Sequence, residues 1–249
     1  MKRKSLLLRI LLGLLGLVLA AATGFIIWGS IAAQPMPEAL AALQSDAAVK
    51  VESGDWLVFT PQTAPPQTGL IFYPGGRVDA RAYAPMARAA AEQGYLVVIP
   101  RMPLNLAVFG VDKAADVTAA YPQIQHWAIG GHSLGGSMAA NYARRHPQQI
   151  AGLVLLASYP ADSDSLAGSS LAVVSIYGTL DGLATPEKID HSRALLPAST
   201  RWVSVQGGNH AQFGWYGPQN GDQMAQMPRE EQQAQTLQAV LDLLKQINP

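Results

Sequence analysis

Between Trp127 and Gly136 the chain reads Trp-Ala-Ile-Gly-Gly-His-Ser-Leu-Gly-Gly. The apolar run Trp127–Ile129 predicts a buried strand, and Leu134 to His146 predicts a helix that Pro147 stops. Gly131-His132-Ser133-Leu134-Gly135 joins the two in the G-x-S-x-G spacing of a strand–turn–helix elbow. A serine in such a turn sits in a strained backbone conformation that lifts its hydroxyl above the carboxyl edge of a sheet. Glycines on either side give the neighbouring backbone room to approach. The helix starting at Leu134 would point its partial positive end at an oxyanion forming there. His132 adjoins the serine, but neighbours on a sharp turn diverge, so it is read as a packed histidine that helps hold the turn.

On both sides of the elbow lie short runs that are apolar throughout: Leu70–Tyr73, Leu96–Ile99, Leu153–Leu156, Val173–Ile176 and Trp202–Val205. Helix-like segments at Ala82–Gln93 and about Pro228–Lys245 interleave with them. This alternation predicts an α/β fold, a mostly parallel sheet covered by helices. Val49–Phe59, turning at Gly54-Asp55, predicts a strand pair at the sheet edge. The final helix begins with Pro228, carries Glu230-Glu231 in its first turn, and sets Ala234, Leu237, Val240, Leu241 and Leu244 on one face.

A serine hydroxyl is a poor nucleophile until a base takes its proton. His210, in Gly207-Gly208-Asn209-His210, follows the Trp202–Val205 strand, and Asp181, in Gly178-Thr179-Leu180-Asp181-Gly182, follows Val173–Ile176. Both therefore fall on loops at the carboxyl edge of the sheet, where α/β folds bind ligands, and the order Ser133, Asp181, His210 is that expected for a charge-relay set. Asp162 and Asp164 are the alternative acids; His126, His146 and His191 read as surface residues. After the Leu70–Tyr73 strand comes Pro74-Gly75-Gly76-Arg77, whose Gly76 or Arg77 N–H is expected to join that of Leu134 as an oxyanion donor. Met102, Leu104, Leu106 and Phe109, and Phe213, Trp215 and Tyr216 after His210, are candidates for the walls of an apolar substrate site. Arg77 and Arg101 lie on crevice loops suited to a substrate carboxylate. No metal and no organic cofactor is expected.

With elbow, acid, histidine and Gly-Gly loop in this order, the sequence from about Val49 to Asn248 resembles the α/β-hydrolase superfamily, closest to its compact dienelactone-hydrolase-like and carboxylesterase-like branch. The resemblance implies a serine hydrolase acting on a small ester or related acyl compound through an acyl-enzyme. Two departures stand out. Pro74-Gly75 occupies the place where many members carry His-Gly, and Ser133 stands where dienelactone hydrolases usually have cysteine. The segment where larger relatives insert a lid is short here, Ala157 to Ala172, which implies an open site. A non-catalytic binding or scaffold protein of the same fold, and an acyltransferase using the same three residues, are the alternatives.

The 249 residues include 17 Lys+Arg and 17 Asp+Glu, a balance without the basic excess of a nucleic-acid binder. Hydrophobic residues reach 49% and charged ones only 14%, so a large core can form. Cysteine is absent, which excludes disulfides and a thiol nucleophile. Lys2, Arg3, Lys4 and Arg9 precede an uncharged run from Ile10 to Trp28, about 28 Å long as a helix, close to the thickness of a hydrocarbon core. Its length favours a membrane anchor over a signal peptide cleaved before Ala33, and the basic end is expected to stay cytoplasmic. Residues 1–33 thus read as anchor or signal, 34–48 as a linker and 49–249 as the α/β domain, outside the cytoplasm whether tethered or released.

Overall fold

In the computed structural model, which describes residues 2–248, strand β3 (Thr68–Tyr73) shows why the apolar runs carry no polar alternation. Leu70 and Phe72 face a core formed with α3 (Ala84–Glu92) and α7 (Arg229–Gln246), while Ile71 and Tyr73 face a second core with α4 (Lys113–Ala120) and α5 (Leu134–Arg145). Both faces of the sheet are covered, so a strand must be apolar at every position. The remaining strands are β1 (Val49–Ser53), β2 (Trp56–Pro61), β4 (Leu96–Pro100), β5 (His126–His132), β6 (Gly152–Leu156), β7 (Ala172–Gly178) and β8 (Arg201–Val205). They form one sheet in the order β1-β2-β4-β3-β5-β6-β7-β8. From β4 to β8 neighbours run parallel; β2 is antiparallel to β4 and β1 to β2, as expected of an edge pair turning at Gly54-Asp55.

Helix α3 starts with Pro85 in its first turn, after a 3-10 turn over Ala80–Tyr83 capped by the Asp79 side chain. Helix α6 (Pro186–His191) follows β7, and α4 fills the connection from β4 to β5. Helix α1 (Lys2–Ser30) exposes its apolar residues from Ile10 onward, Gly29 excepted. The side chains of Lys2, Arg3, Lys4 and Arg9 lie outside the described residues.

The segment expected as a linker, 34–48, is docked on the domain together with Ala33 before it. Ala33 bridges Val78, Met36 N donates to Trp215 O at 2.8 Å, and a short helix α2 (Pro37–Ala41) buries Ala39 completely. Pro35 and Pro37 suggest a stiff spacer, but Ala33, Ala39 and Leu43 each find an apolar surface to cover.

Candidate active site

Helix α5 and strand β5 meet at Ser133, whose backbone has φ 53° and ψ −124°, a sparsely populated conformation that costs an L-residue about 1–3 kcal/mol. Hydrogen bonds hold it there: Ser133 N donates to Leu156 O at 3.0 Å, and Ser133 O accepts from Ser158 Oγ at 2.7 Å and Gly136 N at 3.0 Å. The elbow glycines answer to close approach, since a Cβ at Gly135 would overlap the carbonyl oxygens of Tyr73 and Pro74. Ser133 itself remains partly exposed.

Asp181 and His210 meet. His210 Nδ1 lies 2.9 Å from Asp181 Oδ2, with side chains 1% and 0% exposed. Asp181 Oδ1 accepts from Leu183 N at 2.8 Å and Ala184 N at 2.7 Å, so the carboxylate is fixed on both oxygens. The loops carrying the two residues are tied together: Leu180 N donates to Gly208 O, and Gly207 N to Thr179 Oγ1, both at 2.9 Å. His210 Nε2 is buried without a hydrogen-bond partner, and its ring lies 4.5 Å from that of His132, the residue before Ser133. The alternative acids are accounted for otherwise. Asp164 is buried against Asn141 (2.9 Å) and Arg144 (3.2 Å), and Asp162 is exposed.

Three supporting residues carry no motif in the sequence. Asp222 spans both loops, its Oδ1 accepting from Gly182 N (3.1 Å) and His210 N (3.2 Å) and its Oδ2 from Ala211 N (2.8 Å). Gln232, fully buried at the start of α7, accepts from Asn209 N at 3.0 Å and donates to Asn209 O at 2.8 Å. Tyr83 Oη accepts from Gly75 N at 3.0 Å and pairs with His132 Nδ1 at 2.8 Å.

Only a Tyr83 hydroxyl that donates to His132 Nδ1 satisfies this last pair fully, leaving the imidazole proton on Nε2. Burial first, and the nearby charge of His210 second, hold the His132 pKa well below its ordinary 6.5. His132 is therefore a neutral packed residue of the turn, as the sequence suggests. Above pH 6.5 it is neutral in folded and unfolded chains alike and contributes no pH dependence. Below that, only the unfolded chain takes the proton, so stability falls with pH by about 1.4 kcal/mol per unit until the folded value is reached. Denaturant titrations of wild type and His132→Gln between about pH 7 and 5 should show this acid limb flattened in the variant. Tyr83→Phe strands Gly75 N–H and His132 Nδ1 and should destabilise the fold by about 1–3 kcal/mol in urea unfolding.

Of the expected oxyanion donors, Gly76 N and Leu134 N, at the first position of α5, make no hydrogen bond to the protein among the described residues. A Cβ at Gly76 would lie 3.3 Å from the Leu134 side chain, so the two residues are neighbours. Arg77 is a correction as an oxyanion donor: its N–H is committed to Asn105 O at 2.7 Å, and its guanidinium stacks over Trp28 at 4.4 Å. The expected substrate walls also need correction. Phe213 is core, its ring 6.0 Å from that of His132, and Trp215 is buried beneath Arg229. Leu104 and Phe109 meet α1, through Gly29 and Phe25 respectively. Met102 lines a cavity of about 210 Å³ with Pro74, Arg101 and Asn105, and Tyr216 borders a second one. A cleft of about 430 Å³ opens between Ile31–Ala33, Gly76–Val78 and Tyr216–Asn220, on the same loop as the candidate oxyanion donor. A larger one of about 800 Å³ is lined by His126, Trp127, Ala151 and Leu171 at the amino ends of β5 to β7, the edge opposite Ser133.

Residues 69–234 match the family model described as the alpha/beta hydrolase family. The chain belongs to that family. A protein of Mycobacterium phage D29 named as a non-heme haloperoxidase is 31% identical over 96 residues, 35% of this chain and 34% of that protein, so the chain matches about a third of this relative's length. Among solved structures, the chain resembles Est1E from Butyrivibrio proteoclasticus (TM-score 0.58, 12% identity, 80% of this chain and 99% of that one). It also resembles a Klebsiella pneumoniae protein designated a dienelactone hydrolase (TM-score 0.60, 17% identity, 77% and 92%). A cold-adapted esterase from an Arctic intertidal metagenomic library is similar too (TM-score 0.58, 13% identity, 81% and 96%). At these identities the likeness to solved structures is one of fold.

Proposed function

We propose that this α/β hydrolase is a serine carboxylesterase that cleaves a small ester or related acyl compound through a Ser133 acyl-enzyme. The observation that carries the reading is the buried Asp181–His210 pair. Asp181 accepts from Nδ1–H and so leaves Nε2 as the basic nitrogen, and that nitrogen has no other partner. Ser133 Oγ attacks the carbonyl carbon as His210 Nε2 takes its proton. The tetrahedral oxygen accepts hydrogen bonds from Gly76 and Leu134 N–H. His210 returns the proton to the leaving alkoxide and the alcohol departs. Water then attacks the acyl carbon as Nε2 takes one of its protons; His210 passes that proton to Ser133 Oγ as the ester bond breaks, and the released acid loses its own proton to water. No step calls on a metal or an organic cofactor.

Ser133 Oγ and His210 Nε2 share no hydrogen bond in this structure; such catalytic contacts often tighten only in the Michaelis complex. Helix α1 is read as a membrane anchor with the α/β domain on the non-cytoplasmic side, supported by its exposed apolar residues 10–30 and the basic residues before them. A panel of short esters hydrolysed by the detergent-solubilised full chain, with Ser133→Ala as control, tests the chemistry. Turnover that disappears in the variant supports it; a folded wild type inert toward every ester, or equal rates in both, refutes it. Product carrying the acyl group on an added alcohol in place of water would mark a transferase.

A further inference from the structure

The loop after β4 does two things at once. Toward the site, Asn105 O accepts from Arg77 N, and the Leu106 side chain would lie 3.7 Å from a Cβ at Gly76, beside a candidate oxyanion donor. Toward α1, Asn105 Nδ2 donates to Gly29 O at 3.0 Å, a helix-end carbonyl otherwise without a partner, and Leu104 covers Gly29. Leu104 and Asn105 hold φ of 52° and 53° to make this clasp; asparagine tolerates such a φ, but a leucine adopts it only where its surroundings enforce it. Arg77 adds a hydrogen bond to Ile31 O at 3.1 Å and stacks on Trp28. The rim of the site is thus fastened to the outer end of the apolar helix.

That fastening sets a depth. Phe25 lies three residues inside Trp28, about 4.5 Å further into the helix, and the Phe109 ring meets it edge-on at 6.1 Å. Val108 and Phe109 are 49% and 51% exposed, while the residues around them, Ala107 and Gly110, are buried. Two adjacent apolar side chains are held out of the domain at the level of the apolar span. With α1 in a bilayer, Phe109 falls below the interfacial level marked by Trp28 and Arg77, and Val108 is its exposed neighbour in the chain.

We propose that Val108 and Phe109 dock the active-site rim onto the outer leaflet of the membrane that α1 spans, so that the site opens to acyl esters dissolved in that leaflet. The occupant of this apolar patch is lipid, because the patch is continuous with the only stretch of the described chain long and apolar enough to cross a membrane. The assignment of an ester substrate rests on the serine-hydrolase reading; the docking does not.

The absence of cysteine makes the depth directly measurable. Val108→Cys and, at the opposite sheet edge, exposed Ser170→Cys would each carry an environment-sensitive fluorophore on the full chain in vesicles of phosphatidylethanolamine and phosphatidylglycerol. Lipids bearing nitroxides in their acyl chains should quench the probe at 108 strongly and that at 170 not at all. Equal quenching at both sites, or a mature chain starting at Ala33 and free of membrane, overturns the docking. Val108→Asp should lower turnover of a long-chain ester dissolved in the vesicles by at least about tenfold, and leave a water-soluble short ester within about twofold. Equal loss on both esters overturns the leaflet route. Should neither ester be turned over by wild type, the serine-hydrolase reading fails, and the quenching at 108 still decides the docking.

Discussion

Asp181→Asn is expected to lower kcat by about 10⁴-fold, with KM for a short ester nearly unchanged. Asp181 has no exposed surface and touches only protein: two backbone N–H groups on Oδ1 and His210 Nδ1 on Oδ2. An asparagine cannot serve all three. If its amide nitrogen faces His210, the imidazole must move its proton to Nε2, which then cannot accept the Ser133 proton. If its amide nitrogen faces Leu183 and Ala184 instead, donors oppose donors in a buried site, at about 1–3 kcal/mol of stability. Steady-state kinetics with a denaturant titration separates these: a large kcat loss with a modest stability loss is the expected result.

Gly135→Ala should be the most damaging single methyl group in the chain. The added Cβ overlaps the carbonyl oxygens of Tyr73 and Pro74, which belong to the backbone of β3 and the loop after it and cannot rotate aside. Relief requires α5 to lift from the sheet, which displaces Ser133 and the Leu134 N–H together. A stability loss of about 3 kcal/mol or more is expected, with activity falling further than the folded fraction accounts for. Urea unfolding monitored beside turnover measures both.

These effects follow from the part of the molecule that was legible in the sequence. The elbow could be read because a turn this tight tolerates few residues, and the strands because burial on both faces leaves runs such as Leu153–Leu156 without polar interruption. Asp181 and His210 were identifiable from chain order and from their positions just past strands. What escaped has physical reasons. Helix α4, Lys-Ala-Ala-Asp-Val-Thr-Ala-Ala, buries little beyond Ala114 and Val117, too thin a stripe to register as a period. Asp222 and Gln232 act through backbone groups of loops far away in sequence, a relation that no spacing encodes. Phe213 and Phe109 are not substrate walls because position after a strand says nothing about which way a side chain turns: Phe213 turns into the core, and Phe109 toward α1. The Arg77 N–H is claimed by Asn105 O, a backbone partner on another loop that no local motif reveals.

The central claim is that Ser133 is made nucleophilic by His210. Treating the folded full chain with a fluorophosphonate, then locating the adduct by peptide mass spectrometry, tests this most directly. The account predicts a single adduct on Ser133 in wild type, formed far more slowly in His210→Ala. A folded wild type that takes no label, takes it on a different serine, or takes it equally fast without His210 would contradict the account.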